Sequence, residues 1–146
     1  MTRRGTVSKV LELKEMTKEQ IESEVRKILD RLSREESRLN SLEDTYKKTV
    51  TDFNCKQDKG CANIQEMELF HDYFSHLIRE IDKQKKVVLR RIIELEDKQK
   101  AMLEVYKEKR LFEILRDRIV NEETKQTEKS SQRDMDFQYL TRRARR

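Results

Sequence analysis

From Val7 to Phe53, apolar side chains return in alternating steps of three and four residues. One heptad set is Leu11, Lys18, Val25, Leu32, Leu39, Tyr46 and Phe53. Its companion is Val7, Lys14, Ile21, Ile28, Glu35, Leu42 and Thr49. Ten of these fourteen positions are apolar, counting Tyr46. Sustained heptads with charged flanks predict a coiled coil. A second run begins near Ile64. Its first set, Met67, Phe74, Ile81, Val88, Leu95 and Met102, is apolar throughout. The expected companion set is His71, Ile78, Lys85, Ile92, Gln99 and Tyr106, with a phase shift afterwards to Val105, Phe112, Leu115 and Ile119.

Between the runs lies NCKQDKGCANIQE. Gly60 suits a left-handed helix stop, and Asn63 with Glu66 three residues on resembles a capping box. A short link between two helices makes them antiparallel neighbours. The predicted fold is therefore all-α: a long antiparallel two-helix coiled-coil hairpin in one domain, residues 1–146. Helix one covers about 5–55, the turn about 56–62 and helix two about 63–142. Helix one is about 50 residues, or ~75 Å at the helical rise, and helix two about 80 residues, or ~120 Å. A turn centred on Gly60 sets Leu32 opposite Val88, Val25 opposite Leu95, Leu42 opposite Ile78 and Glu35 opposite Lys85. Helix two then has no facing partner from about Asn121, and no apolar residue occurs from Asn121 to Asp134. Apolar residues return at Met135, Phe137, Tyr139 and Leu140.

Composition sharpens this picture. Charged residues make up 43% of the chain and hydrophobic ones 34%, enough to fill a narrow seam and too little for a thick core. Proline is absent and glycine occurs only twice, so nothing breaks long helices. The net charge is +5. Six cations and two anions between Lys129 and Arg146 place +4 of it in the C-terminal stretch. No segment has the roughly 18 apolar residues of a membrane span. The N-terminal stretch lacks the apolar region of a signal peptide, which predicts a cytoplasmic protein with reduced Cys55 and Cys61.

Candidate chemistry is sparse. Two glycines cannot form a phosphate-binding loop, and His71 and His76 lack a metal-site context, His71 being expected to pack on the seam. Cys55 and Cys61 form one loose pair where a zinc site needs two close ones. They read first as ordinary thiols and second as a reversible disulfide. Catalysis needs a pocket, so the expectation is a non-enzymatic protein without cofactor, metal or small-molecule substrate. Leu69, Phe70, Tyr73 and Leu77 fall off the expected seam: either the helices splay or fold back here, or these residues mark a docking surface near the turn, the reading their aromatic content favours. The basic tail fits three partners: nucleic acid through phosphate neutralisation, an anionic membrane surface, or a socket on a protein. No nucleic-acid fold accompanies the charge, which disfavours the first.

These features together resemble the FliJ family, the small cytoplasmic coiled-coil component of the bacterial flagellar type III export apparatus. The resemblance covers nearly the whole chain. It rests on the basic start followed by VLELKE, on LNSLEDTYKK, on ELFHDYFSHLIREIDKQKK, on YKEKRLFEILRDRIVNEE and on the closing QRDMDFQYLTRRARR. Members often carry an adjacent acidic pair near the end; here Met135 separates Asp134 from Asp136. The resemblance implies an antiparallel coiled coil similar to the central stalk of rotary ATPases, located at the cytoplasmic face of the inner membrane at the flagellar base. It implies three partners: the hexameric flagellar export ATPase, the cytoplasmic domain of the export gate protein, and export chaperones. The gate-docking residues it implies are Leu42, Tyr46, Leu69, Phe70, Tyr73, Leu77 and Gln84. The ATPase-ring contacts it implies are Arg133, Asp136, Phe137, Tyr139, Arg142, Arg143, Arg145 and Arg146. Two alternatives stand beside it: the equivalent stalk of a virulence type III secretion system, and a coiled coil that binds nucleic acid or anionic membrane through its tail.

Overall fold

The computed structural model describes residues 2–60 and 63–145. Among them are two α-helices, α1 (Arg3–Asp58) and α2 (Ile64–Ala144), and no strand. α2 is the longer, at 81 residues against 56. Local chemistry sets the ends. Thr2 Oγ1 accepts the Gly5 amide at 3.1 Å and caps α1. After Asp58 the chain turns at Gly60, whose φ of 66° lies in the left-handed region that L side chains disfavour. Asn63 Oδ1 then accepts the Glu66 amide at 2.8 Å and opens α2. The helices pack antiparallel in two compact units, Glu22–Lys100 and Met1–Ile21 with Ala101–Arg146.

In the unit Glu22–Lys100 the α1 seam follows the sequence pattern. Val25 and Ile28 are buried, and Leu32, Glu35, Leu39, Leu42, Tyr46, Thr49 and Phe53 are half-buried. The α2 seam differs from expectation. Its first set holds, with Met67, Phe74, Ile81, Val88 and Leu95 half-buried. Its companion is Phe70, Leu77, Gln84, Arg91 and Lys98, one residue earlier than the expected His71, Ile78, Lys85, Ile92 and Gln99. Leu77 is the most buried among the described residues, 3% exposed, whereas Ile78 is 54% exposed and His71 lies at the surface. Leu42 therefore does not have Ile78 as a seam partner. Glu35 bonds to Gln84 rather than sharing its layer with Lys85: Gln84 Nε2 donates to the Glu35 carboxylate at 2.5 Å and to the Glu35 carbonyl at 3.0 Å. Lys98 donates to Glu24 at 2.8 Å, and this bond raises the Lys98 pKa above its ordinary 10.5. The Nε of Arg91 is buried without a partner while the same guanidinium reaches Glu94 at 2.8 Å. At the turn end, Phe70 and Phe74 stack, Phe53 meets both of them edge-on, and Tyr46 is edge-on to Phe74 at 5.7 Å. Edge-to-face contacts of this kind add to the burial of the rings.

In the other unit, Val7, Leu11 and Ile119 form a buried cluster with Phe112 packed against it. The α2 seam continues here as Val105, Phe112 and Ile119 without a phase shift; Leu115 lies off it, 39% exposed. Two lysines occupy seam positions of α1. Lys14 lies over the Phe112 ring at 5.8 Å and reaches Glu108 at 2.7 Å, and Lys18 lies over Tyr106 at 5.7 Å. Their apolar stems cover the seam while the ammonium groups stay at its edge. Lys109 binds Glu15; the hydrogen bond holds the Glu15 carboxyl below, and the Lys109 ammonium above, its ordinary value. Arg4 meets Glu123 at 3.8 Å. Past Glu123, α2 stays exposed to Ala144, apart from a half-buried Thr141.

Candidate docking surfaces

The seven residues of the expected turn-end surface fall into two groups. Phe70, Leu77 and Gln84 belong to the seam and hold the helices together. Leu42 and Tyr46 are half-buried on the α1 side of it. Only Leu69 and Tyr73 are free of the seam, at 68% and 44% exposed. The sequence placed Phe70 and Leu77 off the seam because three of its polar members, Gln84, Arg91 and Lys98, hide the heptad to which these two belong.

Leu69 and Tyr73 line a hollow of 290 Å³ with Lys56, Glu66 and the edge of Phe70. Lys56 lies 5.4 Å from the Phe70 ring centre, so the hollow has an aromatic floor and one charge of each sign at its rim. On the other side of the same seam, Tyr46, Ile78 and Ile81 floor a groove of 360 Å³ rimmed by Glu43, Asp82 and Lys85. Leu69 and Tyr73 thus sit on one flank of the coil and the Tyr46 groove opens on the opposite one. Ile78, which sequence reasoning spent on the seam, is the exposed apolar residue of that groove. Cys55 is exposed and free; Cys61, and with it the possible disulfide, lies outside the described residues.

The second surface is the C-terminal part of α2. Met135, Phe137, Tyr139 and Leu140 are each at least 60% exposed. Arg133, Asp136, Arg142, Arg143 and Arg145 are exposed beside them, and Arg146 lies outside the described residues. Helical geometry puts Met135 and Tyr139 on one side and Phe137, Leu140 and Ala144 on the other. Phe137 and Tyr139 point about 160° apart at 3.6 residues per turn. A helix lying on a flat surface carries its apolar residues on one face. One with apolar groups on opposite faces is suited to a socket that surrounds it.

Among the described residues no cluster of His, Cys, Asp and Glu is placed to hold a metal ion, and no helix is long and apolar enough to cross a membrane. Seam and turn together define an all-α protein built as two long helices packed against each other. The flagellar FliJ protein family model matches residues 4–146. The chain belongs to the FliJ family and is, at the level of that family, a component of the flagellar export apparatus. No curated protein and no solved structure matches it significantly.

Proposed function

We propose that this chain is a stalk-like coiled coil that couples the hexameric flagellar export ATPase to the export gate and also binds export chaperones. It acts without catalysing a reaction, at the cytoplasmic face of the inner membrane. The observation that carries this reading is the exposed helix beyond Glu123. It presents Phe137 and Tyr139 on opposite sides with Arg133, Arg142, Arg143 and Arg145 around them. Such an element suits a central pore with apolar walls and acidic or polar lining groups. Contacts there bias the state of the ATPase subunits, while contacts at Leu69 and Tyr73 bias the gate.

The test is a chain ending at Asn121. It is expected to keep its coiled coil and lose its stimulation of the cognate ATPase. Stimulation equal to that of the full chain would remove the tail from the mechanism. For the gate, Leu69→Ala combined with Tyr73→Ala is expected to weaken binding to the gate's cytoplasmic domain by about tenfold or more, as exposed aromatic anchors do, with helicity unchanged.

A further inference from the structure

On α1 four cations recur at helical steps of four, three and four: Lys27, Arg31, Arg34 and Arg38. They form one exposed row, about 17 Å long at the helical rise. Arg31 and Arg38 lie a heptad apart, on the edge of α1 away from Leu29, Glu36 and Glu43. Glu43 opens on the Tyr46 groove with Ile78 and Lys85, so the row faces the opposite flank, that of Leu69 and Tyr73. α2 carries the same charge there. Leu69, His76, Lys83 and Arg90 follow one another at heptad intervals, and Lys83 and Arg90 are exposed. Because Glu35 meets Gln84, Arg38 stands level with Ile81 and Arg31 with Val88. The two sets of cations therefore lie side by side across the seam.

The anions of this flank are engaged elsewhere. Glu24 binds Lys98 at 2.8 Å, Glu80 meets Lys83 at 3.7 Å and Glu94 meets Arg91 at 2.8 Å. Among the described residues, Lys27, Arg31, Arg34, Arg38 and Arg90 make no ion pair, and the exposed Asp30 beside the row bonds none of them. Like charges three and four residues apart weaken a helix, so the row costs α1 stability until an anion covers it. An anionic bilayer takes up apolar anchors together with charge. Val87, the apolar residue between Lys83 and Arg90 on this flank, is half-buried. The unbroken charge of a nucleic acid backbone would run over Glu80 and Glu94. An acidic polypeptide avoids both conflicts, because it places carboxylates at intervals. Guanidinium groups bind carboxylates in bidentate fashion. Tyr73 lies about 12 Å along the same flank from the level of Arg38, so one segment can reach both.

We infer that this flank binds an acidic segment of the protein partner that docks on Leu69 and Tyr73, its carboxylates meeting Arg38, Arg34 and Arg31 in turn. The inference rests on the proposed gate contact for the identity of the partner and adds the chemistry of the segment that binds.

Titration of the full chain with the gate's cytoplasmic domain tests it. Arg31→Gln, Arg34→Gln and Arg38→Gln combined are expected to weaken binding about tenfold or more and to flatten its salt dependence. Removing three cations that lie off this flank, by Arg26→Gln, Lys47→Gln and Lys85→Gln, is expected to change affinity less than about twofold. Circular dichroism confirms that each variant keeps its helix. Leu69→Ala with Tyr73→Ala separates the two readings. If that pair weakens binding and the arginine triple does not, the gate contact stands and the acidic segment is overturned. Equal losses from the arginine triple and the control triple also overturn it, since net charge alone then acts. A twelve-residue glutamate–alanine peptide, a DNA duplex and phosphatidylglycerol vesicles serve as further probes, which judge the flank even when the gate domain does not bind. Peptide binding is expected to fall in the arginine triple and to hold in the control. Unchanged peptide binding overturns the inference, and so does a loss of DNA or vesicle binding that the peptide does not share.

Discussion

Single side chains in this protein divide into those that close the seam and those that face outward, and adjacent residues fall on different sides of the line. Leu77 is 3% exposed and Ile78 54%. Leu77→Ala is expected to cost roughly 2–5 kcal/mol, the range for emptying a packed site. Leu69→Ala is expected to stay within about 0.5 kcal/mol. Thermal melts of the two variants separate structural from docking roles before any partner is added. Gln84→Ala is expected to cost about 1–3 kcal/mol, because it strips a part-buried Glu35 carboxylate of its donor. The charged pairs follow a different rule. Glu15 has a lowered pKa, so its contribution is full above its ordinary 4.5 and is lost as pH falls through the lowered value. Lys98 and Lys109 have raised values, so theirs is full below 10.5 and is lost as pH rises through the raised ones. Helix melting is therefore expected to be flat between those limits and to weaken slightly beyond each. Because these pairs are solvent-accessible, added salt should shrink the effect.

Among the elements, α1 was legible from its hydrophobic steps alone, including the polar seam positions Lys14, Lys18 and Glu35. α2 was only half legible. Counting apolar residues does not separate the set containing Ile78, Ile92 and Tyr106 from the set containing Gln84, Arg91 and Lys98, since each has three apolar members in six from His71 or Phe70 onward, and the second set forms the seam. Its polar members earn their place through partners on α1 or long stems, which no periodicity records. The expected Glu35 layer failed for the same reason by one residue. The turn was read more easily, since Gly60 and Asn63 act through local backbone chemistry. Gly60→Ala is expected to cost about 1 kcal/mol. Space is no obstacle there, because nothing lies within 4 Å of the added carbon. The cost is the φ of 66° itself, and Gly60→Asn should recover part of it. Equilibrium unfolding in urea measures both.

At the scale of the molecule, the seam and the surfaces carry separate tasks. Of the turn-end set implied by resemblance, the structure leaves Leu69 and Tyr73 free for a partner and spends Phe70, Leu77 and Gln84 on the coil. Which residues are spent that way depends on the pairing of the two helices, so the sequence of either helix alone could not sort them. The C-terminal arginines and aromatics were legible as a basic, aromatic stretch. Their division between opposite sides of one helix required the helix to continue past the last contact with α1. Amide hydrogen exchange is expected to be fast from about residue 124 onward in the free protein and slowest around Leu77. Protection gained past residue 124 on adding the export ATPase would locate the contact without any substitution.

The bond from Gln84 to Glu35 has a mechanical meaning as well. A purely greasy seam repeats every seven residues, so one helix could slide along the other by a heptad, about 10.5 Å, and meet nearly equivalent partners. Glu35 makes that slide expensive, because Gln84 is the neighbour that satisfies it. The coil therefore behaves as a graduated ruler rather than a strip of adhesive tape, and the place of Tyr73 along α1 is a fixed mark on its scale.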